Sequence, residues 1–325
     1  MVFDGTPRLG GELLPDPRAM SAATARTLDE AIREVNWKAV PLGVDVVRYT
    51  VPSGELAGHA AGDPRHPRML LVPGMTGSKE DFALMAPLLV RAGYRVEGID
   101  LAGQFESSSA GPERLDPPRK RYDHDLFVED LVAVIRAGGT PVHVLGYSFA
   151  GTVAQLAAVA HPELIASLTL LSVPPVSGQA FRKTSMFVGL PALLSHVVGA
   201  RGTAGIMTWG LRKNLNHVAQ HRYDFVMERL EHTRPSSVVD MARLMRRTPD
   251  VADAVRALDI PKLVAYGAHD LWSSRLHRRF ADRIGAVAIE YATGHSPCET
   301  TPHQLVRDML RVIEGRETPP AHLGG

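Results

Sequence analysis

The chain has 325 residues, of which 45% are hydrophobic, so it is long enough for one large α/β domain or two small ones with a sizeable core. Its formal net charge of +1 gives no general electrostatic case for nucleic-acid binding. The single cysteine, Cys298, excludes a disulfide framework within the chain and fits a reducing compartment.

The N-terminal residues and the apolar segments bear on location. The first residues, MVFDGTPRLGG, lack the basic and then apolar layout of a signal peptide. No apolar run approaches the ~20 residues needed to span a bilayer, and the most apolar segment, 186–200, is interrupted by Gly189, Pro191 and His196. These features predict a soluble cytoplasmic protein without a membrane span.

The first 61 residues predict one helix and a pair of strands. Residues 1–18 contain several prolines and glycines and favour irregular structure. The apolar spacing over 22–37 predicts an amphipathic helix. Two antiparallel strands are predicted over 44–51 and 55–61, joined by a Pro-Ser-Gly turn.

From residue 69 onward, short apolar strands alternate with amphipathic helices. Strands are predicted at 69–72, 96–100, 142–145, 167–171, 262–266 and 287–291, and helices after Ser78, over 125–137, 152–160 and 274–283, and from Pro302 onward. Such units predict a parallel sheet covered by helices on both faces. Capping boxes are predicted for Ser78 with Asp81 and for Thr301 with Gln304. Residues 176–257 interrupt the alternation with a helical pattern, which predicts an all-helical insertion.

A serine lies between one of these strands and the helix that follows it, in the sequence GYSFAG at 146–151. This is the setting of a nucleophile elbow, whose sharp turn strains the backbone of Ser148 and lifts its hydroxyl clear of the sheet. Only small side chains fit two residues before and after the serine, as Gly146 and Ala150 do. The N–H of Phe149, at the helix start, would point towards a developing oxyanion. The pattern is short enough to arise by chance, so its surroundings must support it.

Two later loops supply candidate partners for Ser148. A serine hydroxyl needs a base to take its proton, and the base needs a third group to hold its tautomer. Asp270 follows the strand predicted at 262–266 and is the candidate acid, although aspartate is also common in ordinary turns. His295 follows the strand predicted at 287–291 and is the candidate base, although a lone loop histidine is usually a surface group. The order of serine, acid and histidine on three strand ends favours catalysis over coincidence.

The loop PGMTG at 73–77 follows the strand predicted at 69–72. The N–H of Met75 in this loop is the candidate for a second oxyanion donor beside that of Phe149. Removing one such donor typically lowers turnover by ~10²–10³. The alternative is an ordinary glycine-rich turn.

Five motifs together resemble the α/β-hydrolase superfamily over about residues 42–314. They are PGMTG at 73–77, DLAGQFES at 100–107, GYSFAG at 146–151, GAHD at 267–270 and GHSP at 294–297. The likeness is greatest to a serine carboxylesterase and lipase-like branch with a helical cap, of actinobacterial type. Pro73 and Gln104 depart from this pattern, because many members have His at these positions.

The resemblance implies an α/β class with the α/β-hydrolase fold: a mostly parallel, doubly wound sheet with a helical cap inserted after the sixth strand. The corresponding division is an N-terminal extension with one helix (1–41), the hydrolase core (42–175 and 258–315), the cap (176–257) and a disordered tail (316–325). The fold by itself does not identify the substrate.

Motifs and resemblance together predict a serine hydrolase, free of cofactors and metals, that cleaves a carboxylic ester of a small acyl substrate through an acyl-enzyme. Ser148 attacks, His295 transfers the proton, Asp270 orients His295, and the N–H groups of Phe149 and Met75 hold the oxyanion. Thioester hydrolysis, C–C cleavage and perhydrolysis would use the same triad, and a non-catalytic ligand-binding protein of this fold also stays open. Epoxide hydrolases and haloalkane dehalogenases of the superfamily use Asp at the elbow, so Ser148 argues against both. The oligomeric state is not predicted.

The predicted cap has a net charge of +6 and the rest of the chain −5. A basic cap could steer an anionic substrate, or its arginines could simply face solvent. Its large apolar residues could line an acyl pocket or form the cap's own core; they are Phe187, Leu190, Leu193, Leu194, Met207 and Trp209. His217 and His221 are four residues apart, but no metal site is expected there. Cys298 is expected to be a packing residue.

Overall fold

An eight-stranded sheet forms the centre of the structure, which is a computed structural model. It describes residues 15–33, 35–39, 43–178 and 219–315, together with 8, 9, 12, 13, 180, 201, 205 and 209. The strands are β1 (Val44–Val51), β2 (Gly54–Ala61), β3 (Arg68–Val72), β4 (Arg95–Ile99), β5 (Val142–Tyr147), β6 (Ile165–Leu171), β7 (Lys262–Gly267) and β8 (Val287–Tyr291). They lie in the order β1-β2-β4-β3-β5-β6-β7-β8.

Most of the sheet is parallel. Strands β3 to β8 pair in parallel with one another, whereas β1 pairs antiparallel with β2, and β2 pairs antiparallel with β4. The chain passes from the central β3 to β4 on one side and then to β5 on the other. In sheets where the connections diverge in this way, ligands bind in a crevice beyond the carboxyl ends of the two strands concerned, which are β3 and β5 here. The predicted fold class, a mostly parallel doubly wound sheet, is confirmed.

Helices cover both faces of the sheet. They are α1 (Ala22–Glu30), α2 (Ala86–Arg91), α3 (His124–Arg136), α4 (Phe149–Ala160), α5 (Gln220–His232), α6 (Pro235–Met245), α7 (Ala252–Ala257), α8 (Ser274–Ile284), α9 (Pro297–Thr300) and α10 (Pro302–Ile313). Leu70 of β3 packs in one apolar layer with α3, α4 and α8, and Leu71 packs in the other layer with α2 and α10. Successive side chains of a strand point to opposite faces, so β3 is buried on both. Within the described ranges, every helix falls short of a bilayer-spanning segment in length or in hydrophobicity.

The insertion follows the sixth strand, and its described residues form α5, α6 and α7. Met241 and Leu244 of α6 pack into the same apolar layer as α3. Of the apolar residues predicted for a pocket or a cap core, Trp209 is 49% exposed. The other five lie outside the described residues, as does the tail from 316 onward.

Two arginines of the insertion are buried against the sheet domain. Nη2 of Arg222 donates to Oδ1 of Asp81 over 2.8 Å, and its Nε donates to Oε2 of Glu299 over 3.0 Å. Nη1 of Arg229 donates to the same oxygen of Asp81 over 2.5 Å. Buried charges require partners of this kind, and these carboxylates supply them. Neither predicted alternative for the basic cap, steering or solvation, applies to this pair.

The start of α10 differs from its prediction. The hydroxyl of Thr301 donates to the carbonyl of Pro297 over 3.2 Å and does not cap the helix. Instead Asp29 of α1 accepts from the N–H of His303 over 2.8 Å and from the N–H of Gln304 over 3.1 Å. The predicted capping box is therefore wrong, because a carboxylate from a distant helix takes its place at the helix N-terminus.

Two further segments near the N-terminus differ from their predicted secondary structure. Helix α1 ends at Glu30 rather than at 37. Beyond it, Asn36 accepts from the N–H of Lys38 over 3.1 Å in a turn, and Trp37 packs in one apolar cluster with Leu84. Within the segment predicted to be irregular, Arg8–Leu9 pairs antiparallel with Glu12–Leu13.

Candidate active site

Ser148 occupies the sharp turn between β5 and α4. Its backbone has φ 52° and ψ −117°, a strained conformation for a residue with a side chain. Its N–H donates to the carbonyl of Leu171 in the neighbouring strand β6 over 2.8 Å, which holds the turn in place. The residue is only 8% exposed. The structure thus has the strand, turn and helix that an elbow requires.

Close approaches to backbone atoms and to a neighbouring side chain require small residues around Ser148. A Cβ atom on Gly146 would lie 2.7 Å from the carbonyl oxygen of Ala150 and 2.8 Å from Cα of Gly151. A Cβ atom on Gly151 would lie 2.0 Å from Cγ1 of Val173. The predicted need for small side chains at this turn agrees with these distances.

The three residues predicted for a triad lie side by side. Nε2 of His295 is 3.2 Å from Oγ of Ser148, and Nδ1 of the same ring is 2.5 Å from Oδ1 of Asp270. Asp270 directly follows β7, and His295 follows β8. Adjacent parallel strands bring their carboxyl ends to one edge, so residues 147 positions apart meet there.

The carboxyl group of Asp270 is inaccessible to solvent, with a side-chain exposure of 0%. Burial favours its neutral form, but the electrostatic interaction with His295 and the contacts of its two oxygens with His277 and His295 outweigh burial and hold the pKa of Asp270 well below its usual range. Its Oδ1 atom also accepts from the N–H of Leu271 over 2.5 Å. Asp270 therefore presents a fixed negative charge to the imidazole of His295.

Aromatic rings border His295 on two sides. The ring of Tyr147 lies 5.4 Å from the imidazole and that of Trp272 lies 6.0 Å from it, measured between centroids. The hydroxyl of Tyr147 is 2.9 Å from Oγ of Ser296, which links the elbow strand to the histidine loop. No role for Tyr147 or Trp272 follows from the sequence. Tyr147 directly precedes Ser148 and Trp272 lies two residues after Asp270, but nothing in the sequence shows which way their rings face.

The loop after β3 lies against Ser148. A Cβ atom on Gly74 would be 3.0 Å from Cβ of Ser148, so a larger residue would crowd the serine. The N–H of Thr76 is occupied, since it donates to Oε1 of Gln104 over 2.9 Å. Thr76 also adopts a φ of 60°, which turns the chain sharply after Met75. Met75 thus lies between Gly74, which is close to Ser148, and the turn at Thr76, and its N–H stays the candidate donor of this loop.

Gln104 ties this loop to the insertion. The residue is fully buried, and its Nε2 donates to Oγ of Ser237 in α6 over 2.6 Å. That hydroxyl in turn donates to the carbonyl of Ala102 over 3.1 Å. In the sequence, Gln104 stands out only as a departure from the family pattern. The structure gives this departure a function in positioning the loop around Met75.

The other candidate oxyanion donor, Phe149, lies at the start of the helix after Ser148. Phe149 is the first residue of α4, where backbone N–H groups have no acceptor within the helix. Its side chain is buried against the ring of Phe127, 5.2 Å away between centroids.

Cys298 is fully buried, and burial raises the pKa of its thiol well above the usual value, as expected of a packing residue. Among the described residues, no group of three or more His, Cys, Asp or Glu side chains is arranged to hold a metal ion.

Gly267 controls the approach of the acid loop to the histidine loop. A Cβ atom here would lie 1.9 Å from the carbonyl oxygen of Gly294 and 2.4 Å from that of Thr293. Both are backbone atoms that cannot rotate away. We expect Gly267→Ala to lower the free energy of unfolding by about 1–3 kcal/mol, measured by urea denaturation.

Gly294→Ala is the matched control, because a Cβ atom on Gly294 meets nothing within 4 Å. Its free energy of unfolding should stay within about 0.5 kcal/mol of the wild type. Equal effects of the two substitutions would contradict the close packing of these loops.

Residues 69–308, which are most of the chain, match the model of the alpha/beta hydrolase family. The chain therefore belongs to the alpha/beta hydrolase family. The predicted membership of this enzyme family is confirmed, whereas the likeness to an actinobacterial type stays a prediction.

Three known proteins illustrate the range of similarity. Epoxide hydrolase 3 of Xenopus tropicalis is 34% identical over 116 residues, which cover 35% of this chain and 30% of that protein. The human serine hydrolase-like protein is 28% identical over 137 residues, covering 42% of this chain and 64% of that protein. The matches thus span less than two thirds of either relative. The crystal structure of a hydrolase from Pseudomonas aeruginosa PA01 shares the fold, with a TM-score of 0.65, 20% identity, and coverage of 83% of this chain and 98% of that one.

Proposed function

We propose that this protein is a serine hydrolase that cleaves a carboxylic ester through a covalent acyl-enzyme. The observation that supports this proposal most is the unbroken line from Oγ of Ser148 through the ring of His295 to Asp270, with distances of 3.2 Å and 2.5 Å. A base within hydrogen-bonding reach of a serine, itself oriented by a buried carboxylate, is the arrangement that activates a hydroxyl.

In the acylation step, Oγ of Ser148 attacks the carbonyl carbon of the ester while its proton passes to Nε2 of His295. The carbonyl oxygen becomes an oxyanion, which the N–H groups of Phe149 and Met75 stabilise. Asp270 stabilises the imidazolium of His295. When the tetrahedral intermediate collapses, the C–O bond of the ester breaks and the leaving alcohol takes the proton from His295.

In the deacylation step, a water molecule loses a proton to His295 and attacks the acyl-enzyme. The bond between Oγ of Ser148 and the acyl carbon then breaks, and Ser148 regains its proton from His295 as the carboxylic acid leaves. Neither step requires a cofactor or a metal ion.

The nucleophile favours an ester over an epoxide. Although one relative is named an epoxide hydrolase, the superfamily resemblance assigns Asp to the elbow of such enzymes, and this chain has Ser148. Thioesters and β-diketones remain substrates that the same three side chains could process, and a substrate panel separates them.

A fluorophosphonate probe and a substrate panel test this proposal. The folded protein should incorporate one equivalent of probe, on Ser148. It should hydrolyse members of a series of p-nitrophenyl esters of increasing acyl length faster than matched acyl-thioesters, a β-diketone or an epoxide. A folded protein that neither reacts with the probe nor turns over any panel member would instead be a non-catalytic ligand-binding protein of this fold.

We also propose the domain division predicted from the sequence, with residues 176–257 as a cap over the crevice. The contact of Gln104 with Ser237 and the ion pairs of Arg222 and Arg229 with Asp81 support it. Each joins the insertion to a segment that follows a central strand, since Asp81 follows β3 and Gln104 follows β4. The buried free thiol of Cys298 favours action in the cytoplasm.

A further inference from the structure

The carboxylate of Asp270 lies between two histidines. Its Oδ1 atom faces His295, whereas its Oδ2 atom lies 3.2 Å from Nε2 of His277 in α8. This second contact is within hydrogen-bonding distance but is not ideally aligned, and Oδ2 has no regular hydrogen bond to any described residue. A buried carboxylate oxygen without a donor is costly, so the N–H of His277 is the group placed to satisfy it.

The surroundings of His277 fix its ring. The side chain is 0% exposed. Its imidazole stacks on Tyr266 of β7, with centroids 4.5 Å apart and an angle of 12° between the planes. Trp272 meets it edge-on at 6.2 Å, and the indole N–H of Trp272 donates to the carbonyl of Ala180 over 2.8 Å. With both neighbours held, the His277 ring keeps its edge towards Asp270.

The contacts also indicate the protonation state of His277. Among the described residues, the titratable groups in recorded contact with the ring are Asp270 and Tyr266. Burial raises the pKa of the Tyr266 phenol to about 12, so this phenol stays neutral. Nδ1 of His277 is buried without a hydrogen-bond partner among the described residues. A doubly protonated ring would leave an N–H buried and unpaired. The neutral ring with its proton on Nε2 satisfies Oδ2 of Asp270 and leaves no donor unmet.

We propose that His277 is a positioning residue that donates from Nε2 to Oδ2 of Asp270 and thereby aims Oδ1 at His295. This inference rests on the proposed function, because it assigns His277 a part in the same line of catalytic groups from Ser148 through His295 to Asp270. His277 does not touch the substrate. It acts by fixing the rotation of the carboxylate and by keeping it ionised, so that His295 holds the tautomer able to accept the proton of Ser148.

Two substitutions of His277 separate this positioning from packing. His277→Leu removes the donor and keeps a similar volume, whereas His277→Gln keeps an N–H at a similar reach. We expect His277→Leu to slow inactivation by a fluorophosphonate, and to lower kcat for the best ester, by about tenfold with little change in KM. His277→Gln should recover most of this loss.

The pH dependence gives a readout that a merely structural role would not change. Without the donor, more of the carboxylate charge acts on His295, which then keeps its proton to a higher pH. The acid limb of the inactivation rate should move up by about half a pH unit in His277→Leu and stay near the wild-type position in His277→Gln. His303→Leu is the matched control, because it removes another buried histidine, whose Nδ1 lies 2.8 Å from Oδ1 of Asp29. It should lower the unfolding temperature without moving the acid limb.

A measurement on the wild-type protein keeps the inference testable if the leucine variant does not fold. The ¹⁵N shifts of the imidazole nitrogens at neutral pH should show a proton on Nε2 of His277 and none on Nδ1. A ring protonated on Nδ1 would overturn the inference. So would an unchanged rate and acid limb in folded His277→Leu. Failure of the proposed function is a different result, in which the wild-type protein itself does not react with the fluorophosphonate.

Discussion

Ser148→Ala should abolish ester hydrolysis, with kcat reduced by about 10⁵–10⁶-fold. The substitution removes the oxygen that forms the acyl-enzyme in the proposed mechanism, and the ring of His295, 3.2 Å from that oxygen, is left with no hydroxyl to activate. Any remaining turnover would come from the oxyanion donors and substrate binding alone. The rate should be measured with the best ester of the panel, together with loss of fluorophosphonate labelling.

Stability should change little in Ser148→Ala, because alanine meets the same backbone strain at φ 52° and the missing hydroxyl leaves no buried group unsatisfied beyond the imidazole. Ser273→Ala is a suitable control, since Ser273 precedes α8 and makes no capping hydrogen bond with its side chain. It should keep full labelling and turnover. Full ester turnover in folded Ser148→Ala would show that another residue is the nucleophile and that the proposed mechanism is wrong.

Strands were predictable wherever the signal is local. The strand at 287–291 has the predicted bounds, and the strand at 142–147 extends the prediction by two residues, because short apolar runs between turn residues mark buried parallel strands. The start of α10 was mispredicted for the opposite reason. Its backbone donors are satisfied by Asp29, which lies 274 residues away from His303 in sequence, and no local pattern indicates such a contact.

Only those residues of the candidate site that belong to a recognisable motif could be predicted from the sequence. Ser148, Asp270 and His295 could be placed together because each follows a strand of one parallel sheet, and parallel strands bring these ends to a single edge. Gln104 and Ser237 could not be paired from the sequence, since their contact depends on how the insertion packs over the sheet. The partners of the buried Arg222 and Arg229 could not be predicted from the sequence either. The sequence left open only whether the charges of the cap steer an anionic substrate or face solvent.

His277 did leave a signal in the sequence. It lies on the buried face of α8 with Phe280, Ala281 and Ile284, which are three, four and seven residues further along. A histidine at an apolar position of an amphipathic helix needs a polar partner. Asp270 is a candidate for this partner, because it lies seven residues before His277 in the connection between β7 and α8. The spacing alone does not identify that partner, because the rotation of α8 about its axis is set by packing against β7 and β8.

Asp270→Asn should lower kcat by about 10⁴-fold while the protein stays folded. The amide has nearly the volume of the carboxylate, but it carries no charge to stabilise the imidazolium of His295. It also has one acceptor and one donor, whereas the wild-type carboxylate accepts on both sides, from His295 at 2.5 Å and, as we infer, from His277 at 3.2 Å. If the amide oxygen turns towards His277, its NH₂ group faces Nδ1 of His295 and drives the proton of that ring to Nε2, the atom that must accept the proton of Ser148.

Asp130→Asn is the control for losing a buried carboxylate. Asp130 accepts from the N–H and the hydroxyl of Ser53 over 3.0 Å and 2.6 Å. An amide oxygen can keep the first contact, and the hydroxyl can rotate to accept from the NH₂ group, so the substitution should cost the fold little. Its kcat should match the wild type. If folded Asp270→Asn lost less than about tenfold in kcat at neutral pH, neither the charge nor the two acceptors of Asp270 would matter to the reaction. The negative charge of Asp270 would then contribute only to folding, and the reaction would depend on Ser148 and His295 without it.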